Sequence, residues 1–322
     1  MCTYIRWLQN FLLMNRKKNS FNWLFLLLAL SSLTLFTSCE DEEEEEIIET
    51  LTIADALASD FDFTILNEAL MRTDLMSDLD AQGSFTLLAP PDEAFINAGI
   101  TNLDRFTDEE LTEILQYHVI AGDVFYSDFN TRTVETLNGN IYVSSNAQRI
   151  YLNGETNFVQ INYGASNGVI HSVDRVLMPP QNSVVQLVTE DDDLTIAQAA
   201  IEKAGLVSTL NGDGPFTIFV PTDYAFNILF EELGVNGIDE ISSTELANIL
   251  QYHAIESRSF STDLEAGMQP TTLEGESFRV LFDFNIFLID ENDTNDNARI
   301  VQDNKLGTNG VIHKINRVLL SE

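Results

Sequence analysis

The chain has 322 residues, 44% hydrophobic and 10% aromatic. That is enough apolar material for folded cores and a length suited to two domains of about 100–200 residues each. Its 51 acidic and 16 basic residues give a formal net charge of −35, a field that repels phosphate, argues against nucleic-acid binding and disfavours anionic lipid heads. Cys2 and Cys39 are the two cysteines, so a disulfide framework or thiolate metal cluster in the folded part is excluded.

Residues 1–39 read as a signal peptide. Arg16, Lys17 and Lys18 form its positive start, and Phe21–Phe36 is an apolar stretch softened by Ser31, Ser32 and Thr34. It is short for a membrane-spanning helix, which needs about 20 apolar residues. Met14 begins a better-proportioned signal than Met1. The stretch ends in Leu35-Phe36-Thr37-Ser38-Cys39, which resembles a bacterial lipobox, with Phe36 in place of the usual Leu. That resemblance implies acylation of Cys39. Four basic residues and no acid precede Cys39, so the remainder carries 12 basic against 51 acidic residues, −39.

Residues 40–49 follow as an acidic tether. The run Glu40–Glu46 is wholly acidic and repels itself into an extended conformation. Acids directly after a lipidated cysteine resemble the export signal of some surface lipoproteins. The expected location is therefore the outer membrane, facing the cell exterior.

The body is one unit written twice. Thr52–Phe95 aligns without a gap on Ser183–Phe226, 131 residues later. Shared positions include Asp60/Asp191, Gly83/Gly214, Phe85/Phe216, Pro90/Pro221, Asp92/Asp223 and Phe95/Phe226. Leu111–Ile120 then matches Leu246–Ile255, and Asn167–Leu177 matches Asn309–Leu319, at offsets of 135 and 142. The expected domains are residues 50–180 and 181–322. Met178–Asn182, which holds two prolines, joins them and restricts their relative orientation.

Each copy mixes α and β. Leu111, Ile114, Leu115, His118 and Val119 fall on one helix face. Thr107-x-x-Glu110 and Ser242-x-x-Glu245 are capping boxes ahead of this helix in the two copies. Phe85–Ala89 and Phe216–Val220 are β-rich runs stopped by proline. A short helix follows each, capped by Thr222 in the second copy. The first copy has Pro91 there and is left with Asp92 or no cap. Later strands are expected over Ile141–Val143, Arg149–Leu152, Val169–Val176, Phe278–Phe282, Ile286–Ile289 and Val311–Leu319, with a turn at Asn153-Gly154.

FTLLAPPDEAF and FTIFVPTDYAF, ILQYHVI and ILQYHAI, and NGVIHSVDRVL and NGVIHKINRVL occur in order, twice. They resemble the conserved blocks of the fasciclin (FAS1) domain. The resemblance covers about residue 50 to 321. It implies an α+β fold, each domain a β-sandwich or wedge packed with several helices, needing no disulfide or cofactor. It also implies a non-enzymatic extracellular role in adhesion or matrix binding. Animal members carry an Asp-Ile pair linked to integrin binding just before the last block. Asn162-Tyr163 and Asn304-Lys305 stand there, so integrin recognition is not carried over.

All four histidines, His118, His171, His253 and His313, lie inside repeated blocks. His118 and His253 on apolar helix faces read as core groups bonded to neighbouring strands. Tyr117 and Tyr252 beside them present an apolar body with one polar tip. In the family this tyrosine–histidine pair is also credited with partner binding. No nucleophile elbow, zinc-ligand spacing or phosphate-binding glycine loop is present. No catalytic residue, metal or cofactor is expected. Asp290–Asn297 is rich in the oxygen ligands calcium prefers but lacks the glycine and glutamate of an EF-hand loop, and reads as an enlarged hairpin. The function expected is a lipid-anchored adhesion or interaction module for an unidentified extracellular protein or polysaccharide. The alternative is an accessory lipoprotein capturing glycan or matrix for nutrient uptake.

Overall fold

The structure is a computed structural model. It describes residues 51–81, 83–130, 132–146, 149–290 and 297–321. The signal, Cys39, the acidic tether and most of the Asp290–Asn297 loop lie outside the described residues.

In the first repeat the order is α1 (Ile53–Ala58), α2 (Thr64–Arg72), α3 (Leu75–Asp80), β1 (Phe85–Ala89), α4 (Asp92–Asn97), α5 (Asp108–Gln116), β2 (Val119–Ala121), β3 (Arg132–Thr136), β4 (Gly139–Ser145), β5 (Ile150–Leu152), β6 (Thr156–Ala165) and β7 (Gly168–Val173). The second repeat follows the same plan: α6 (Val184–Thr189), α7 (Thr195–Lys203), α8 (Val207–Leu210), β8 (Phe216–Pro221), α9 (Asp223–Leu233), α10 (Ser243–Tyr252), β9 (Ala254–Ile255), β10 (Arg279–Asp283), β11 (Asn285–Ile289), β12 (Ala298–Gly307) and β13 (Gly310–Ile315). No helix of the described residues is long and apolar enough to cross a membrane.

Helix α5 starts as its capping box dictates. The Glu110 N–H donates to Thr107 Oγ1 at 3.2 Å, and Glu110 Oε2 accepts from the Thr107 N–H at 2.8 Å. It stops at Gln116, two residues short of the histidine expected on its face. The His118 N–H turns to the Leu115 carbonyl at 3.0 Å. The Ile114 carbonyl, which a continued helix would join to that N–H, instead accepts from the imidazole at 2.7 Å. The side chain thus substitutes for one helical hydrogen bond and frees Val119 to open β2. His253 ends α10 the same way, with the Ile249 carbonyl at 2.7 Å.

Thr222 caps α9, accepting from the Ala225 N–H, whereas α4 has no side-chain cap at Pro91. Asp92 serves a different helix. It accepts from the Thr64 hydroxyl and, at 2.8 Å, from the Ile65 N–H, supplying the cap that Phe63 cannot give α2. Asp223 repeats this on Thr195 (2.6 Å) and Ile196 (2.8 Å) in α7.

The first sheet runs β2-β1-β7-β6-β5-β4-β3, with β1 and β7 parallel. Leu87 and Ala89 of β1 pack with the helices in one core, while Leu88 joins Ile141 and Val143 of β4 in another. Strands β1 and β4 are four places apart in the sheet, so a shared core means the sheet curls back on itself. The Leu137 N–H just after β3 donates to Val119 O of β2 at 2.9 Å across the closure. The second sheet, β10-β11-β12-β13-β8-β9, closes likewise through the Leu273 N–H and Ala254 O at 2.7 Å.

The asparagine and glycine of NGVIH hold this arrangement. Asn167 is buried. It accepts from the Ile53 N–H (2.9 Å) and donates to the carbonyls of Leu79 (2.6 Å) and Ala81 (3.1 Å). Asn309 makes the equivalent three bonds to Val184, Leu210 and Gly212. A Cβ on Gly168 would lie 2.0 Å from the Phe85 carbonyl oxygen, so β1 and β7 could not pair in register. Gly168→Ala is expected to destabilise the first domain by about 1–3 kcal/mol or more. Gly164→Ala, with open space around it, should leave the denaturant midpoint nearly unchanged; equal midpoints for the two variants would contradict this packing.

Candidate functional site

The four histidines divide into two kinds, one of each per domain. His118 donates through Nδ1 to Ile114 O, and its Nε2 accepts from the Leu177 N–H at 2.9 Å. His253 does the same between Ile249 O and the Leu319 N–H, also at 2.9 Å. His171 is the reverse: Nε2 donates to Val124 O at 2.8 Å and Nδ1 accepts from the Asn162 N–H at 3.2 Å. His313 follows it with Ser259 O (2.9 Å) and the Asn304 N–H (3.3 Å). A carbonyl only accepts and a backbone N–H only donates, so the partners fix each tautomer. Every imidazole lone pair is engaged by a backbone N–H. None is free to ligate a metal or to take a proton from a substrate. Burial pulls the His118 and His253 pKa values down to about 4 and lowers His171 and His313 as well.

Tyr117 and Tyr252 are wholly buried. Tyr117 Oη donates to Asn140 O at 2.8 Å and accepts from Asn153 Nδ2 at 3.1 Å. Burial pushes its pKa up to about 12. Tyr252 Oη donates to Ser277 O at 3.1 Å. Each tyrosine and its neighbouring histidine therefore engage different backbone segments, and neither presents a polar tip to solvent. His118 and His171 share no partner.

Asn162 and Asn304, in the family's Asp-Ile position, hold left-handed backbone (φ 56° and 59°) at irregularities in β6 and β12. Their side chains accept from the Tyr126 and Ser261 N–H groups at 2.8 and 2.7 Å. Both pin the loop crossing their sheet; Asn304 is buried and Asn162 is exposed.

The seam between the two domains presents a mixed polar and aromatic surface. The sequence marks Asn153-Gly154 as a turn and places Asn304 at the family's Asp-Ile position, but carries no signal for Tyr142, Arg258 or Phe260. The Arg258 guanidinium lies over the Tyr142 ring at 3.7 Å. Ser144 and Thr262 share a hydrogen bond of 2.7 Å. Asn304 Nδ2 donates to Gly154 O at 3.2 Å. Gly154, at φ 77° in the expected Asn153-Gly154 turn, packs directly on Phe260; a Cβ there would sit 2.5 Å from its ring. A cleft of about 1200 Å³ opens along the seam, lined in part by Tyr142, Asp213, Arg258, Asp263 and Phe282. Arg258 Nε and Nη1 are buried with no hydrogen-bond partner among the described residues, and burial lowers the guanidinium's pKa. Burial also raises the Asp263 pKa from its ordinary value, against the lowering by the Phe260 N–H it accepts from. Among the described residues, no group of three or more His, Cys, Asp or Glu is placed to hold a metal ion.

Two closed helix-and-sheet domains, with their histidines bonded into the backbone and a mixed cleft between them, define a tandem module built around surfaces. The Fasciclin domain model matches residues 61–179 and 192–321, and the chain belongs to that family. It is 28% identical over 261 residues to transforming growth factor-beta-induced protein ig-h3 of Sus scrofa, covering 77% of this chain and 36% of that protein. It is 29% identical over 260 residues to periostin of Homo sapiens, covering 77% and 30%. The chain thus spans about a third of the length of these relatives. Protein sll1483 of Synechocystis is 30% identical over 135 residues, 40% of this chain and 74% of that one. A solved FAS1 domain pair from the insect cell adhesion molecule fasciclin I aligns at 20% identity and a TM-score of 0.40, covering 81% of this chain and 97% of that chain.

Proposed function

We propose that this protein is a non-catalytic interaction module, held by a lipid on Cys39 at the outer face of the outer membrane, that binds an extracellular protein. The observation that carries this reading is the engagement of every histidine lone pair and both block tyrosines by backbone. These histidines and tyrosines serve the fold, and what the repeated blocks leave open is surface. The mixed polar and apolar lining of the seam suits a protein contact. Its Tyr142 ring is covered by Arg258 rather than left bare as a platform for sugar. The acidic run after Cys39 supports export to the cell surface.

Cells carrying the wild-type protein and Cys39→Ser test this together. Two or more acyl chains hold a protein stably on a membrane, at about 0.8 kcal/mol per buried CH₂. The wild type is expected to incorporate acyl label, resist extraction from the membrane, yield to external protease and promote attachment to a protein-coated support. Cys39→Ser should lose the label, the membrane association and the attachment. An unlabelled wild type with unchanged membrane association in the variant would overturn the anchoring. Equal attachment of cells with and without the wild-type protein would overturn the interaction role.

A further inference from the structure

The two copies differ in chemistry at one corresponding place. In the second domain, β12 and β13 pair Gln302 with Lys314 and Lys305 with Ile312. Both lysines reach across to the turn after α6. Lys314 Nζ lies 2.7 Å from Asp191 and 3.4 Å from Asp193, and Lys305 Nζ lies 3.4 Å from Asp191. Lys314 is only 7% exposed. Its ammonium fills the angle between turn and sheet.

The first domain keeps the frame and lacks the cations. The register is the same, with Gln160 opposite Ser172 and Tyr163 opposite Ile170. Asp60 and Asp62 stand in the sequence where Asp191 and Asp193 stand. Ser172 replaces Lys314, Tyr163 replaces Lys305, and Phe61 replaces Asp192. The result is a pocket of about 400 Å³ lined by Asp60, Phe61, Asp62, Gln160, Tyr163 and Ser172 among others, with no basic side chain in its lining. Ser172 is 7% exposed, and its hydroxyl has no hydrogen-bond partner among the described residues. Phe61 is 90% exposed and Tyr163 46%, far more than rings in a core.

We propose that this pocket binds the ammonium group of a lysine side chain presented by a protein partner, in the place Lys314 occupies in the second domain. Asp60 and Asp62 supply the counter-charge that Asp191 and Asp193 give Lys314. The Ser172 hydroxyl accepts one ammonium hydrogen. Phe61 and Tyr163 pack against the methylene stem and attract the cation through their faces. The acidity of the whole chain draws basic partners toward it. The second domain shows that this frame accommodates a lysine; the first leaves the position to be filled from outside. The proposal deepens the protein-binding reading above by naming one contact.

The test uses the full chain in neutral detergent with labelled phenylalanine and tyrosine, titrated with lysine blocked at both backbone termini and followed by NMR. The Phe61 and Tyr163 ring signals should shift saturably. The Nε-acetylated form of the same probe should leave them unmoved. Ser172→Lys, which rebuilds the arrangement of the second domain, should abolish the response. Ser208→Lys adds the same charge on exposed α8 and should preserve it. Absence of ring shifts, equal response to the acetylated probe, or equal loss in Ser208→Lys would overturn the proposal. A stronger response to a glucosamine oligomer would also overturn it, by making an amino sugar the occupant. Surface attachment without lysine binding would count against this pocket alone; lysine binding without attachment would count against the module reading alone.

Discussion

His118→Ala is expected to lower the stability of the first domain by about 2–5 kcal/mol, and His253→Ala to do the same to the second. The substitution removes the acceptor of the buried Leu177 N–H and the donor to the Ile114 carbonyl at the end of α5. A buried polar group left unpaired costs about 1–3 kcal/mol, and the vacated ring space adds a cavity penalty. Against a typical domain stability of about 5–15 kcal/mol, this removes a large share. Denaturant unfolding followed by circular dichroism, at fixed ionic strength because the acidic chain repels itself at low salt, should show the midpoint fall. An unchanged midpoint together with lost surface attachment would make the tyrosine–histidine pair the binding site and contradict its structural role.

Acidification should destabilise both domains through the same residues. His118 and His253 have folded pKa values of about 4 because burial disfavours the imidazolium, against an unfolded value of about 6.5. Between those values the unfolded chain binds the extra proton. Stability is therefore fully present above about pH 6.5 and is lost progressively as pH falls toward about 4. At 1.36 kcal/mol per pKa unit, each histidine accounts for about 3 kcal/mol. His171 and His313 act in the same direction. Glu155 and Asp263, whose pKa values burial raises, act in the opposite one, as does relief of the chain's acidic repulsion. The histidine contribution is isolated by His118→Gln, which does not titrate. It should be less stable than wild type near neutral pH and lose less on going to about pH 5. Parallel stability curves for the two proteins would contradict the buried neutral imidazole.

Much of this fold is written locally. The Thr107–Glu110 box, the Phe85–Ala89 strand and the Asn153-Gly154 turn use signals contained within a few residues, and the last places positive φ at both positions. What was not legible depends on distant partners. The apolar periodicity of α5 continues through His118 in sequence. The helix nevertheless ends early because the imidazole replaces a backbone donor. Left-handed Asn162 breaks the alternation of β6, and Asn304 that of β12, so period-2 patterning does not reveal either strand. Asp92 sits at the start of α4 yet caps α2. The seam is the clearest case. Phe125 and Phe260 are corresponding residues of the repeat, but Phe125 is 48% exposed and Phe260 2%. Only the second meets Gly154 of the neighbouring domain.

The central claim is that all four histidines are fixed, neutral struts of the backbone. It is tested most directly by a nitrogen–proton correlation spectrum of the imidazole rings near neutral pH. The structure predicts four non-exchanging neutral rings: His118 and His253 protonated on Nδ1, His171 and His313 on Nε2. Averaged ring signals from rapid tautomer exchange, or titration of these residues near the free value of about 6.5, would show accessible histidines and contradict the account.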